Sequence, residues 1–376
     1  MDYPAQRRDR LAHLLREDGL DAFLVTSTVN VTYTTGFSGD SSVLVLARDR
    51  SVLVSDPRYA AQITEECPGL EAHIRPPAQK LQEAVVGVLA RLGCRAVGFE
   101  AGGLTVAEFE LLKGLAPAVE WAGLPDRVER LRMVKDPSEV GQIRAAVAIA
   151  ERAFTAFRAL LRPDDREKEL CDALDGYIRR AGGQGSSFPP IVAVGERAAL
   201  PHAPPTDRAV RTGELLLVDW GASGRFYKSD LTRVLHTRTN AAFPAGPAGG
   251  RGESKLEEVH GVVMRARERA LAAIRPGVRA EEVDAAARSA IAEAGFGAYF
   301  GHGLGHGIGL QVHEGPAIRP HSETALEPGM VFTVEPGIYL PDWGGVRIED
   351  DVLVTPDGCE VLTAVPRDLG SMRAFA

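Results

Sequence analysis

Apolar residues in the first third of the chain come in short runs separated by amphipathic stretches. "DAFLVTS" (21–27), "VLVLA" (43–47), "VLVSD" (52–56) and "AVGFE" (96–100) each have the length and branched content of a buried strand. Residues 6–17 instead repeat at helical spacing, with Leu11, Leu14 and Leu15 on one side. "TVAE" pairs Thr105 with Glu108 as a capping box, which opens another helix. This alternation predicts an α/β domain of roughly 130 residues.

The chain restarts at "VKDPSEV". Asp136 suits an N-cap, Pro137 the first helical position and Glu139 the third, so a long amphipathic helix is expected to about residue 161. The boundary is set there, giving domains 1–131 and 132–376. "TNAAFPAGPAGGRGES" (239–254) is rich in proline and glycine and reads as a flexible loop. Helices are expected at 255–274 and at 280–294, the second stopped by Gly295. Strands follow in "ELLLVDWGA" (214–222), "VFTVEPGIYL" (331–340) and "GGVRIEDDVLVT" (344–355), and each carries an acid: Asp219, Glu335 and Glu349. A carboxylate in such an apolar strand is costly unless it is paired or holds a metal.

Composition narrows the class. The 376 residues are 45% hydrophobic and 25% charged, with a net charge of −8. That balance suits a soluble globular protein and argues against nucleic acid or an anionic membrane as partner. Cys67, Cys94, Cys171 and Cys359 form no C-x-x-C pair, so free thiols in a reducing compartment are expected. The opening "MDYPAQRRDRLAHLL" has no apolar stretch after its basic residues, and no run reaches the ~18 apolar residues of a membrane span. A cytoplasmic location is the expectation.

The chemistry concentrates in five residues. Asp219 and Asp230 are eleven apart in "DWGASGRFYKSD", a spacing that suits two strands of a hairpin. Glu335 and Glu349 are fourteen apart, punctuated by Pro336-Gly337 and Gly344-Gly345. His306 lies in "FGHGLGHGIGLQVHEGP" (300–316), where every second residue from 301 to 309 is glycine. The backbone can therefore approach a site closely there. Four carboxylates and one imidazole suit two hard or borderline divalent cations, with Mn ahead of Zn. Cations between the acids would remove their mutual repulsion.

Taken in order, "PHAPP" (201–205), "LLVDWGASGRFYKSDLTR" (216–233), "GHGIGLQVHEGP" (305–316), "LEPGMVFTVEPGIY" (326–339) and "GGVRIEDDVLVT" (344–355) resemble the pita-bread metallopeptidases. That family comprises Xaa-Pro aminopeptidases, prolidases and methionine aminopeptidases. "GLDAFLVTSTVNVTYTTGFSG" (19–39) resembles the N-terminal domain of the Xaa-Pro group. The resemblance spans essentially the whole chain. It implies a creatinase-like α/β domain followed by an α+β pita-bread catalytic domain, whose strongly curved, mainly antiparallel sheet is covered by helices.

The resemblance also implies roles. Asp219 would chelate one metal, Asp230 and Glu349 would bridge both, and His306 with Glu335 would complete the second. A water between the ions would become a hydroxide, and Glu335 would pass its proton towards the leaving nitrogen. His202 and His313 would hydrogen-bond the scissile carbonyl or its oxyanion. His302 would shuttle protons or line the pocket, and Arg347 would pair with a ligand carboxylate. Two divalent ions are expected, Mn foremost, with Co, Zn or Fe as alternatives. The implied activity is that of an Xaa-Pro aminopeptidase on peptides with proline at the second position. A dipeptide-restricted prolidase is the alternative, and a non-catalytic binding protein or a metal-free creatinase-like hydrolase the remote ones. A homodimer is implied by analogy.

Two departures stand out: Phe226 occupies a position where the family often has glycine, and Ala317 one where some prolidases carry an arginine that could hold a dipeptide's carboxylate. Arg319, two residues on, could substitute for that arginine. "HEGPA" is not H-E-x-x-H, and the glycines at 301–309 do not fit G-x-G-x-x-G. His13, His73, His236, His260 and His321 have no motif around them and read as ordinary residues. Asp351 shares a strand face with Glu349, which leaves it as a possible supporting residue only.

Overall fold

The computed structural model describes residues 2–237 and 251–375. The chain divides into two compact units, Met1–Arg132 and Met133–Ala376.

The first unit is built on a six-stranded sheet: β1 (Ala22–Val25), β2 (Val43–Ala47), β3 (Ser51–Ser55), β4 (Glu71–Ile74), β5 (Ala96–Glu100) and β6 (Glu120–Leu124), in the order β4-β3-β2-β1-β5-β6. β1–β2 and β2–β3 are antiparallel, and the other neighbours are parallel. The helices are α1 (Tyr3–Glu17), α2 (Thr28–Thr35), α3 (Ala60–Glu66), α4 (Leu81–Leu92), α5 (Val106–Leu115) and α6 (Arg127–Met133). All four expected strands are present. The expected capping box opens α5, with Thr105 N donating to Glu108 Oε2 and Glu108 N to Thr105 Oγ1. Val45, Val54, Val85, Leu89 and Val97 pack in the core of this unit.

The second unit opens with α7 (Pro137–Leu160), capped as its sequence predicts. Asp136 Oδ1 accepts from the amides of Ser138 and Glu139, and Glu139 Oε2 accepts from Asp136 N. The other helices are α8 (Glu167–Arg180), α9 (Arg251–Ala273) and α10 (Ala280–Glu293). Gly295, which follows α10, has φ +85°, the left-handed geometry that ends a helix. The expected loop at 239–254 falls largely outside the described residues, and α9 already begins at Arg251.

The strands of this unit are β7 (Gly185–Ser186), β8 (Ile191–Val194), β9 (Leu215–Trp220), β10 (Ala222–Ser223), β11 (Leu231–His236), β12 (Gly305–Gly307), β13 (Glu314–Ile318), β14 (Val331–Val334), β15 (Gly337–Leu340), β16 (Gly344–Arg347), β17 (Asp350–Thr355) and β18 (Gly358–Val361). They form a three-stranded sheet β11-β9-β8, a five-stranded sheet β13-β12-β14-β17-β18, and the ribbons β10-β7 and β15-β16, with antiparallel pairing throughout.

Two details differ from the pattern expected from sequence. The run 331–340 is two strands, because Glu335-Pro336 interrupts the ladder between β14 and β15; proline lacks the N–H a ladder requires. Glu349 likewise lies between β16 and β17 rather than inside a strand. Both glutamates thus sit where the chain leaves one sheet for another.

Packing orients β9. Trp220 is fully buried, stacks on Phe154 of α7 with ring centroids 4.0 Å apart, and donates to Ala150 O at 3.0 Å. Alternation along the strand then turns Asp219 to the opposite face. Among the described residues no helix is long and apolar enough to cross a membrane. All four cysteines are free thiols.

Candidate active site

Asp219 lies on β9, and the β9–β11 ladder pairs it with Thr232. Asp230 immediately precedes β11, so both acids come from one antiparallel pair, as the spacing predicts. The short β10 is interposed in the connection. His306 is the middle residue of β12, Glu335 follows β14, and Glu349 precedes β17. These five residues, with His202, His302, His313, Ala317, Arg319 and Arg347, line one cavity of about 680 Å³. Pro189, Pro190, Pro201, Pro204 and Pro205 form part of its wall, a rigid surface without backbone donors.

His306 faces the acids without a hydrogen bond to them. His306 Nε2 is 3.5 Å from Glu335 Oε1 and 3.7 Å from Asp230 Oδ2, too far for a hydrogen bond. Nδ1 of the same ring is 3.2 Å from Gly307 O. That partner favours the tautomer with its proton on Nδ1, which leaves the Nε2 lone pair towards the acids. Asp230, His306 and Glu349 each offer one ligand atom, all within 4.8 Å of one another. Asp219 Oδ1 and Asp230 Oδ1 are buried and have no protein partner. Acceptors gathered this way, with buried oxygens unmatched, fit divalent cations between them.

Electrostatics point the same way. Burial raises the pKa of Asp219, while Arg347 opposes the rise. Burial, reinforced by the neighbouring acids, lifts Asp230 and Glu349 well above the usual carboxylate range. Glu335 is pushed up to about 8, chiefly by burial. His306 is lowered to about 4 by burial and then by His313, so its imidazole is neutral at neutral pH.

A ring of hydrogen bonds holds the acids. Arg347 Nη2 donates to Asp219 Oδ2 at 2.5 Å, Nε to Thr232 Oγ1 at 3.0 Å and Nη1 to the Tyr339 hydroxyl at 2.9 Å. Thr232 Oγ1 in turn donates to Glu349 Oε2 at 2.6 Å. Thr333 Oγ1 accepts from His306 N at 3.1 Å and donates to Glu335 Oε1 at 3.3 Å. Asp351 Oδ2 accepts from Asp230 N at 3.2 Å. Sequence reasoning missed Thr232, Thr333 and Tyr339. For Thr232 the available signal was its place two residues after Asp230, on the same strand face.

The histidines divide. His202 and His313 are exposed on the cavity wall, and the His313 ring lies 4.3 Å from that of His306. His302 lines the cavity, but its Nδ1 contacts Gly303 O at 2.7 Å and its Nε2 the Tyr339 hydroxyl at 2.9 Å. Both nitrogens are therefore engaged, and burial lowers its pKa to about 4. Of the two expected roles, proton shuttle or pocket lining, His302 holds a place in the cavity wall, where it also supports the Tyr339 hydroxyl.

Residues 141–356 match the model of metallopeptidase family M24, and residues 7–134 that of the creatinase/prolidase N-terminal domain. The chain belongs to metallopeptidase family M24. Like other M24 proteins of this architecture, it joins a creatinase-type domain to a pita-bread catalytic domain. It is 36% identical over 361 residues to an uncharacterized peptidase, YqhT, of Bacillus subtilis, covering 96% of this chain and 98% of that one. The solved Xaa-Pro dipeptidase of Bacillus anthracis superposes with a TM-score of 0.90 at 36% identity, over 97% of this chain and 99% of that one. The X-Pro aminopeptidase of Thermotoga maritima gives 0.87 at 35%, over 96% and 99%. The protein is a hydrolase that acts on peptides, and both exopeptidase types stand among its relatives.

Proposed function

We propose that this M24 peptidase is an Xaa-Pro aminopeptidase, cleaving between an N-terminal residue and a following proline, with Mn as the foremost of its divalent metals. The observation that carries this reading is the convergence of Asp219, Asp230, His306, Glu335 and Glu349 on one cavity with buried oxygens left unmatched. Two divalent ions held by these residues would lower the pKa of a water between them and polarise the scissile carbonyl. Glu335, on the cavity wall beside His306 Nε2, is placed to take up a proton at its carboxylate and pass it to the leaving nitrogen. His202 and His313 reach into the cavity from its wall and offer N–H donors to the carbonyl oxygen. Arg347 orients Asp219 and favours its ionised form against the effect of burial.

Support for the aminopeptidase over the dipeptidase comes from Ala317. It pairs with His306 across the β12–β13 ladder, so a long basic side chain there would reach the ligands, whereas alanine offers no clamp for a free carboxylate. The dipeptidase reading is favoured by Arg319, which lines the same cavity. A paired assay separates the two. Metal-free protein is reloaded with Mn and given an Xaa-Pro dipeptide and the same sequence extended at its C-terminus. Cleavage of the extended peptide at equal or better efficiency establishes the aminopeptidase. Cleavage of the dipeptide alone makes the protein a prolidase, and cleavage of neither, with Mn bound, overturns both.

A further inference from the structure

The five converging residues come from two separate sheets. Asp219 and Asp230 belong to the β11-β9-β8 sheet, while His306, Glu335 and Glu349 lie within or at the ends of strands of the other. An isolated antiparallel bridge joins the two at Thr232 and Glu349, where Glu349 N donates to Thr232 O at 3.2 Å. Side-chain bonds from Arg347, Thr232 and Asp351 cross the same seam, but a single backbone bridge alone is a weak support for a site whose groups must be set within about half an ångström.

Arg233 lies directly over that seam. Its side chain is wholly buried. Nη1 donates to both carbonyls of the bridge, Thr232 O at 2.9 Å and Glu349 O at 2.6 Å. Nη2 donates to Asp350 Oδ1 at 2.7 Å and Val365 O at 2.9 Å, and Nε to Pro366 O at 3.0 Å. All five N–H groups of the guanidinium are thereby used. Asp350 is itself held by Arg267 Nε at 2.5 Å, Arg367 Nε at 2.8 Å and Thr363 Oγ1 at 2.6 Å. Three guanidinium groups thus surround one carboxylate, one residue away from Glu349.

Burying this much charge is expensive, and apolar packing would join two strands as well or better. What apolar packing cannot do is hold two carbonyl oxygens at a fixed separation, which a rigid planar fork does. We propose that Arg233 is a positioning residue of the metal centre. Its guanidinium clamps the Thr232–Glu349 bridge and so sets the spacing between the Asp219/Asp230 half and the His306/Glu335/Glu349 half. This rests on the reading of those five residues as a two-metal site.

The test uses the full chain, metal-free and titrated with Mn, in wild type, Arg233→Lys and Arg367→Gln. Binding is followed by calorimetry, the spin coupling between bound Mn ions by electron paramagnetic resonance, and folding by thermal unfolding of the metal-free forms. Wild type is expected to take up two coupled Mn ions. Failure of wild type to bind Mn sinks the two-metal reading itself, separately from the clamp. In Arg233→Lys the second ion is expected to bind about 10–100-fold more weakly, with its coupling to the first lost, in protein that still unfolds cooperatively. An unchanged second affinity and coupling, whatever the loss of thermal stability, overturns the proposal and leaves Arg233 a packing residue. If Arg233→Lys does not fold, Arg367→Gln decides. Its side chain is 20% exposed and it frees one side of Asp350, so the second ion should weaken at least threefold; no change overturns the clamp.

Discussion

Arg347 Nη2 meets Asp219 Oδ2 at 2.5 Å, and neither side chain is more than 10% exposed. The same guanidinium reaches Thr232 on β11 and Tyr339 on β15. It therefore fixes an acid whose other oxygen, Oδ1, has no protein partner. Lysine supplies charge but not the fork. Arg347→Lys should lower Mn affinity and kcat/KM together, each by about 10–100-fold. A titration that shows wild-type affinity in this variant would remove Arg347 from the site's support.

Crowded acids make a specific pH signature. A carboxyl whose folded pKa is raised stabilises the fold below its unfolded value, and that contribution is lost as pH rises through the folded value. For Glu335 the window runs from 4.5 to about 8, and Asp230 and Glu349 shift in the same direction. Chelator-treated protein should therefore lose thermal stability between about pH 5 and pH 8, while Mn-loaded protein should not. Mn binding should also release protons, read as a dependence of the calorimetric heat on buffer ionisation enthalpy. Equal stability of the chelated protein across this range would mean that burial and crowding do not raise these acids in the fold.

The glycines around His306 act through space rather than through φ. A Cβ on Gly305 would overlap Thr333 O, and one on Gly307 would overlap Gly315 O. Both are backbone atoms of neighbouring strands and cannot give way. Gly301 has nothing within 4 Å of such a Cβ. Gly307→Ala should cost about 1–3 kcal/mol of stability and displace His306, weakening metal binding. Gly301→Ala should stay within about 0.5 kcal/mol of wild type. Denaturant unfolding of the pair distinguishes close approach from simple loop flexibility, for which both variants would behave alike.

Lys135 and Glu314 form a second buried pair, Nζ to Oε1 at 2.9 Å, with side chains 0% and 6% exposed. Glu314 adjoins His313 and opens β13, so the pair ties the cavity-wall loop to the segment that enters α7. Lys135→Met takes the cation away from a buried carboxylate, which keeps the Gln311 amide at 3.3 Å, and should cost about 3–5 kcal/mol in urea unfolding. Combining it with Glu314→Leu should restore much of that stability while leaving kcat/KM reduced, since His313 loses its anchor. Full recovery of activity in the double variant would mean the loop holds its shape unaided.

Local chemistry explains what the sequence made legible. The caps at Thr105 and Asp136, and the stop at Gly295, involve residues a few positions apart. Asp219, Glu335 and Glu349 were legible because acids in apolar runs are rare enough to stand out, Asp230 through its spacing from Asp219, and His306 through its glycine-rich frame. The hydrogen bonds that orient them were not: Arg347 and Thr232 are 115 positions apart, and Arg233 and Glu349 are 116. Nor does composition reveal α2. Its "TVNVTYTT" is rich in β-branched residues, yet Thr32, Thr34 and Thr35 satisfy their hydroxyls on carbonyls one turn back and the segment is helical. The breaks at Glu335 and Glu349 depend on which sheet each strand joins, a non-local choice that alternation cannot encode.

Arg319 offers the sharpest test of substrate length. Its side chain is exposed and lines the cavity two residues beyond Ala317, which itself faces His306 across the ladder. In an Xaa-Pro dipeptide the proline ends in a carboxylate; in a longer peptide the same atoms form an amide. Both carbonyl oxygens can accept from a guanidinium, but only the carboxylate forms an ion pair with it, and hydrogen bonds to charged groups are worth about 1.5–3 kcal/mol where water is excluded and less at an exposed rim. Arg319→Ala should therefore raise KM for the dipeptide about tenfold and leave the tripeptide within about twofold, with kcat for both little changed. Equal effects on the two substrates would show that Arg319 does not read the C-terminus. Selectivity would then rest on the space that Ala317 leaves beside His306, and Ala317→Arg would be expected to turn the enzyme towards dipeptides.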